Sequence, residues 1–263
     1  MWRGENVYGV VVTLFGAVLG WFGDRVAVFF ALRSPAAVLW AQCRCPRTIV
    51  PSLLKRGCRD CGATWGLFSM APLTATLAAA FAYASPQHAP WLTFVVTILL
   101  LGALCDAFTT YIPDETTLPL IFAGVAYAAF YGVPAGDVWL FDRLCGRWGG
   151  VAAAVVGAAV GAAVPFLVRI IGTALLKKEA MGLGDSLLLA AIGAALGPKQ
   201  VLVAFLLASV LGTVHNIPRL LRQRLAEVAF GPYLLAAAII MLLTGRQICY
   251  ILFVAYPRWL AGA

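Results

Sequence analysis

The sequence predicts an all-α integral membrane protein of about eight transmembrane helices with a cytoplasmic cysteine-rich loop. Three observations carry that expectation. Of the 263 residues, 62% are hydrophobic and 11% charged, whereas a soluble domain carries about a quarter charged residues. Apolar runs near the roughly 20 residues that a bilayer requires recur from end to end. Basic residues crowd alternate loops, as the positive-inside rule demands.

The expected spans lie near Val7 to Leu32, Trp65 to Ala84, Trp91 to Cys105, Thr117 to Val133, Gly150 to Ile171, Ser186 to Leu196, Val201 to Ile217 and Tyr233 to Leu243, the sixth and eighth being short. Three regions follow: 1–32 as a first transmembrane helix, 33–64 as a basic cytoplasmic loop, and 65–263 as a polytopic domain. The first run is read as a retained anchor, because Arg3 and Glu5 cancel and no small-x-small cleavage site follows it. Within it, Asp24 and Arg25 place opposite charges in an apolar setting, which suits a bundle interior or a helix end.

Six basic residues from Arg33 to Arg59 lie in the first loop, Arg169, Lys177 and Lys178 near the fifth, and Arg219, Arg222 and Arg224 near the seventh. The second loop, Ser85 to Pro90, has none, the fourth has Arg143 and Arg147, and the sixth has only Lys199. Odd-numbered loops are therefore expected in the cytoplasm and both termini outside. The net charge of +8 belongs to these loops and not to one polar face, so the lipid bilayer is the expected partner and nucleic acid is not.

Two carboxylates organise the chemistry. Asp185 follows Gly182-Leu183-Gly184 at the mouth of an apolar helix, where a charge is costly to bury. A helix-capping role is the competing reading of that residue. Asp106 closes the third apolar run and is followed by Thr109, Pro113, Asp114 and Glu115, the proline preventing simple helix continuation. The topology puts both aspartates on the cytoplasmic side at similar depth. Two such carboxyls close together share a proton, so that one activates water while the other polarises a carbonyl, which is aspartic-protease chemistry. The sixth helix, reaching about 16 Å from Ser186 to Leu196, is expected to let the loop from Gly182 to Asp185 dip below the membrane surface.

In the first loop, Cys43-Arg44-Cys45-Pro46 and Cys58-Arg59-Asp60-Cys61 form two cysteine pairs in a basic segment. A structural tetrathiolate zinc site on Cys43, Cys45, Cys58 and Cys61 is the expectation, with reduced unligated thiols the alternative. Cys105, Cys145 and Cys249 are scattered and read as apolar filler, while His88 and His215 have no neighbour that suggests a ligand. The small residues of the fifth run, Gly157 and Gly161 included, read as tight helix packing.

Three motifs in order, Asp106-x-x-Thr109-x-x-Ile112-Pro113-Asp114, Lys178-Glu179-x-Met181-Gly182-x-Gly184-Asp185 and Phe230-Gly231-Pro232-Tyr233-Leu234, resemble those of the type IV prepilin peptidases. These are inner-membrane GxGD aspartic proteases, also called prepilin leader peptidase/N-methyltransferases. The resemblance implies that Asp106 and Asp185 are the catalytic pair, that Gly182, Gly184, Thr109, Pro113 and Asp114 belong to the active-site loops, and that the first loop is a zinc-binding insert. It implies removal of a short basic leader, on the cytoplasmic side of the bacterial inner membrane, from prepilin or pseudopilin precursors of type IV pilus or type II secretion systems. S-adenosylmethionine-dependent methylation of the new N-terminus is the second activity it implies, with no donor pocket assignable. Ser186-Leu187 stands where the family commonly has phenylalanine-lysine.

The alternative function is an ion- or proton-coupled transporter using Asp24, Asp106 and Asp185; against it, the aspartates lie at one membrane face and no inverted repeat is evident. A presenilin-type protease lacks its tyrosine-aspartate signature here, and a proteolytically silent assembly scaffold is the third option. The particular pilin class and the oligomeric state are not written in the sequence.

Overall fold

A computed structural model of the chain describes residues 2–33, 70–109, 112–133, 148–177, 181–221 and 229–260. Within them the chain is helical: α1 (Trp2–Arg33), α2 (Met70–Ala84), α3 (Ala89–Thr109), α4 (Asp114–Tyr131), α5 (Gly149–Leu176), α6 (Leu183–Leu196), α7 (Pro198–Leu221), α8 (Gly231–Tyr250), a π-helical turn (Ile251–Ala255) and α9 (Tyr256–Leu260). A helix answers each of the eight apolar runs. Among the described residues, four are long and apolar enough to cross a membrane: Ala89–Asp106, Gly149–Leu175, Pro198–Ile217 and Gly231–Arg258. The apolar stretches Val7–Gly23, Pro72–Ala84 and Leu183–Leu196 are shorter.

Two expectations are corrected. The eighth helix is not short: α8 runs 20 residues to Tyr250 and continues through the π-helical turn. Arg246 and Gln247 interrupt the apolar run but are good helix formers, so polarity ended the reading where the backbone had no reason to stop. The sixth helix begins at Leu183, so Asp185 sits in its first turn and not in a preceding loop. The helix is 14 residues long, about 21 Å, and still shorter than a hydrocarbon core.

The chain forms two compact units, Met1–Pro113 and Asp114–Ala263. In the first, α1 packs against α2 and α3. Small residues bring α1 and α2 together: a Cβ on Gly16 would lie 2.6 Å from that of Ala78. There the buried Thr74 hydroxyl donates to the Gly16 carbonyl at 2.7 Å, tying the helices by a bond that hydrocarbon cannot replace. Val12, Phe81, Leu92, Val95 and Leu99 fill the core between them.

The second unit is built around α6, which touches α4, α5, α7 and α8. Every residue from Ser186 to Leu196 except Leu187 is buried, as befits a helix that is apolar all round. Its tightest neighbour is α5. A Cβ on Gly157 would strike the Gly193 carbonyl, one on Gly193 the Gly157 carbonyl, and one on Gly161 the Leu189 carbonyl. The small-residue face expected of the fifth helix is thus the surface on which α5 and α6 meet backbone to backbone. Gly197, at φ +83°, closes α6 through its amide to the Gly193 carbonyl at 2.8 Å, and Pro198 opens α7 at once. On the opposite side of α5 and α7, Phe166, Ile170, Leu206 and Val210 are exposed, the apolar surface that lipid would cover.

Candidate active site

The segment ahead of Asp185 is shaped by local rules. α5 ends at Lys177, a left-handed residue at φ 53° whose amide donates to the Thr173 carbonyl at 2.9 Å. A non-glycine in that region is uncommon and marks a forced turn. Residues 178–180 lie outside the described chain, so Lys178, Glu179 and Ala180 are not placed. Gly182 then serves as the N-cap of α6 with extended backbone at φ −72°, ψ 151°. Any residue could adopt that backbone, so the glycine is there for clearance. A Cβ on Gly182 would stand 3.4 Å from Oδ2 of Asp185, whose side chain leans back over the cap.

Asp185 is the acidic residue of the first turn of α6, where the helix dipole favours its negative charge. It is half-buried, and its Oδ1 is fully covered. Gly184 is half-buried beside it and Gly182 is exposed, leaving the Oδ2 side of the carboxylate bordered by bare backbone. The next residue, Ser186, is 6% exposed.

In the first unit, Asp106 sits one turn before the end of α3 and is 6% exposed. Thr109 is the last residue of that helix; the orientation of its side chain lies outside the described residues. Pro113 is buried, and Asp114 and Glu115 are exposed in the first turn of α4. Asp106 therefore lies near the end of an apolar helix of the first unit, and Asp185 in the first turn of an apolar helix of the second.

The third motif has a structural account. Phe230 caps α8, Pro232 lies in its first turn, and the Tyr233 ring rests on Gly212 of α7. The amide of Asn216 donates to the Gly212 carbonyl at 2.8 Å and to the Tyr233 hydroxyl at 3.2 Å. Phe230 meets Phe205 edge to face at 6.2 Å between centroids, and the exposed His215 lies 5.8 Å from Tyr233. Together these contacts hold the corner between α7 and α8. Neither Asn216 nor Ser186 stands out in the sequence, since a lone amide or hydroxyl in an apolar helix usually bonds its own backbone.

Cys43, Cys45, Cys58 and Cys61 lie outside the described residues, as does Cys145. Among the described residues no three potential metal ligands converge. Cys105 is buried and Cys249 half-buried, and neither is in a disulfide.

A multi-pass helical membrane protein with an acidic residue at one end of an apolar helix in each of two units is the class that fold and site define. Residues 93–217 match the family model described as the type IV leader peptidase family, a stretch that contains both aspartates and none of the four loop cysteines. The chain belongs to that family. It is 33% identical over 205 residues to the prepilin leader peptidase/N-methyltransferase of Aeromonas salmonicida (strain A449), covering 74% of this chain and 64% of that protein. The namesake from Aeromonas hydrophila is 31% identical over 80% of this chain and 65% of its own length. The one from Escherichia coli (strain K12) is 33% identical over 65% of this chain and 72% of its own. The chain thus spans just under two thirds of the Aeromonas relatives. No solved structure matches the chain significantly.

Proposed function

We propose that the protein is a membrane-embedded aspartic endopeptidase that removes the short basic leader from prepilin-like precursors, with Asp106 and Asp185 as the catalytic pair. The observation that carries this reading is the burial of Asp106 at 6% exposure at the end of an 18-residue apolar span. An acidic group kept there has no packing rationale and is held for chemistry. Family membership and the names of the relatives supply the substrate class.

One carboxylate takes a proton from water as the water oxygen attacks the scissile carbonyl. The other, protonated, hydrogen-bonds the carbonyl oxygen as charge develops on it. The proton then passes to the departing amine. Gly182 keeps Asp185 open on the side from which a peptide backbone would approach. The exposed Asp114 and Glu115, at the start of α4, suit a lysine- or arginine-bearing leader. All eight helices cross the bacterial inner membrane in this reading, with the aspartates at the cytoplasmic face.

Two further elements belong to the reading. Methylation of the new N-terminal amine rests on the relatives' names; S-adenosylmethionine would supply the methyl group. A structural zinc on Cys43, Cys45, Cys58 and Cys61 rests on the spacing of the two pairs.

The test is intact mass of a prepilin co-expressed with the wild-type chain or with Asp185→Asn. Loss of the leader with the wild type alone is the expected result, and an additional methyl mass establishes the second activity. A precursor left whole by the wild type, across a panel of pilin and pseudopilin substrates, overturns the reading. For zinc, the purified protein is expected to carry about one equivalent of metal that Cys58→Ser loses; unchanged metal in that variant refutes the site.

A further inference from the structure

Serine and threonine hydroxyls in the described helices mostly donate to a backbone carbonyl, Thr74 to Gly16 of a neighbouring helix and Thr76 and Thr117 to the carbonyl three residues earlier. Thr13, Thr93, Thr97, Ser209, Thr213 and Thr244 each donate to the carbonyl four residues earlier at 2.7–2.8 Å. Such back-bonding is how a helix in hydrocarbon hides a hydroxyl. Thr173 and Ser186 are the exceptions, their hydroxyls covered and without a hydrogen-bond partner, and Ser186 is the one that adjoins Asp185. It is 6% exposed, its Oγ is fully covered, and that oxygen has no hydrogen-bond partner. The carbonyl four residues earlier is that of Gly182, the cap of the same helix, so a back-bond of the usual kind was at hand and was not made.

The location of this exception is informative. Ser186 directly follows Asp185. Side chains on a helix lean toward its N-terminus, over the residues three and four earlier. Asp185 does so, its Oδ2 lying over Gly182, and Ser186 is the next residue in the same first turn of α6. The other carboxyl oxygen, Oδ1, is covered as completely as the Ser186 hydroxyl. A hydroxyl differs from an amide or an ammonium in that it both donates and accepts. It can therefore serve a carboxyl group in both protonation states, donating to the anion and accepting from the acid.

We propose that Ser186 is a positioning residue for Asp185: its buried hydroxyl hydrogen-bonds the covered carboxyl oxygen in the working enzyme and holds the carboxyl orientation while the proton comes and goes. The serine neither gains nor loses a proton over the cycle; its O–H rotates. The inference rests on the reading of Asp185 as catalytic. A hydroxyl unsatisfied in the resting fold destabilises it, and strain kept beside a catalytic group is the expected trade of stability for activity.

The experiment measures kcat, KM and thermal unfolding on the full chain in detergent with a prepilin it cleaves. The variants are Ser186→Ala, Ser186→Thr, Ser186→Val and Asp185→Asn. Ser186→Ala is expected to lower kcat about tenfold, to leave KM within about twofold, and to melt at the wild-type temperature or above, as removal of an unsatisfied hydroxyl allows. Thr and Val have nearly the same volume and differ in the hydroxyl, so Ser186→Thr should turn over faster than Ser186→Val. Equal rates for Thr and Val, a wild-type kcat in Ser186→Ala, or a lowered melting temperature that accounts for its lost activity each overturn the proposal. Cleavage by Asp185→Asn at the wild-type rate is a separate failure, that of the catalytic reading, and removes the basis for the serine as well.

Discussion

Asp106 shows what one residue can say. It is a carboxyl 6% exposed near the end of an apolar helix. Asn is nearly isosteric, so Asp106→Asn is expected to insert and fold as the wild type while leader removal falls about 10²–10⁴-fold, the usual reach of a lost acid–base group. A precursor-to-product ratio near wild type at equal protein level would contradict the pairing. Tyr233 makes the opposite case, since its hydroxyl accepts from Asn216 and its ring lies on Gly212. Tyr233→Phe keeps the ring and loses one bond, so thermal unfolding should register about 1 kcal/mol or less of lost stability. Both aspartates and the Phe230–Leu234 motif were legible as residues in the sequence. The Asn216 bond and the Ser186 hydroxyl were not, because satisfaction of a polar atom depends on what folds against it.

At the scale of elements, α6 decides the architecture of the second unit. It is short and buried, and it meets α5 through glycines that leave no space for a methyl group. Gly193→Ala would press a methyl into the Gly157 carbonyl, and backbone cannot step aside as a side chain can. A loss of about 1–3 kcal/mol or more is expected, seen as a lower melting temperature and lower yield of folded protein. Gly9, where an added Cβ meets nothing within 4 Å, is the control: Gly9→Ala should be neutral or slightly stabilising, given the better helix propensity of alanine. Equal effects at the two sites would mean that the α5–α6 contact is not as close as the structure has it. The Gly157 and Gly161 face was readable from composition, since small residues in an apolar helix have few other uses. The start of α6 was misread because Gly182-Leu183-Gly184 looks like a breaker. Tertiary packing overrides such a propensity when the whole helix is enclosed.

At the scale of the whole molecule, the distribution of basic residues in the sequence predicts an orientation in the membrane. If the basic stretches face the cytoplasm, alkaline phosphatase fused after Gln87, in the charge-free turn between α2 and α3, should be active, and fused after Lys178 it should be inactive. The reverse pattern would turn both aspartates to the outside and remove the case for cytoplasmic processing. Residue order alone was enough for the helical membrane class and for placing a helix at each apolar run, because bilayer thickness imposes a length on such runs. Only the folded chain decided that α6 is the enclosed centre of its unit, that α8 continues past Arg246, and that Ser186 keeps its hydroxyl from the backbone beside Asp185. Those outcomes depend on contacts between residues far apart in the chain, and local pattern carries no record of such contacts.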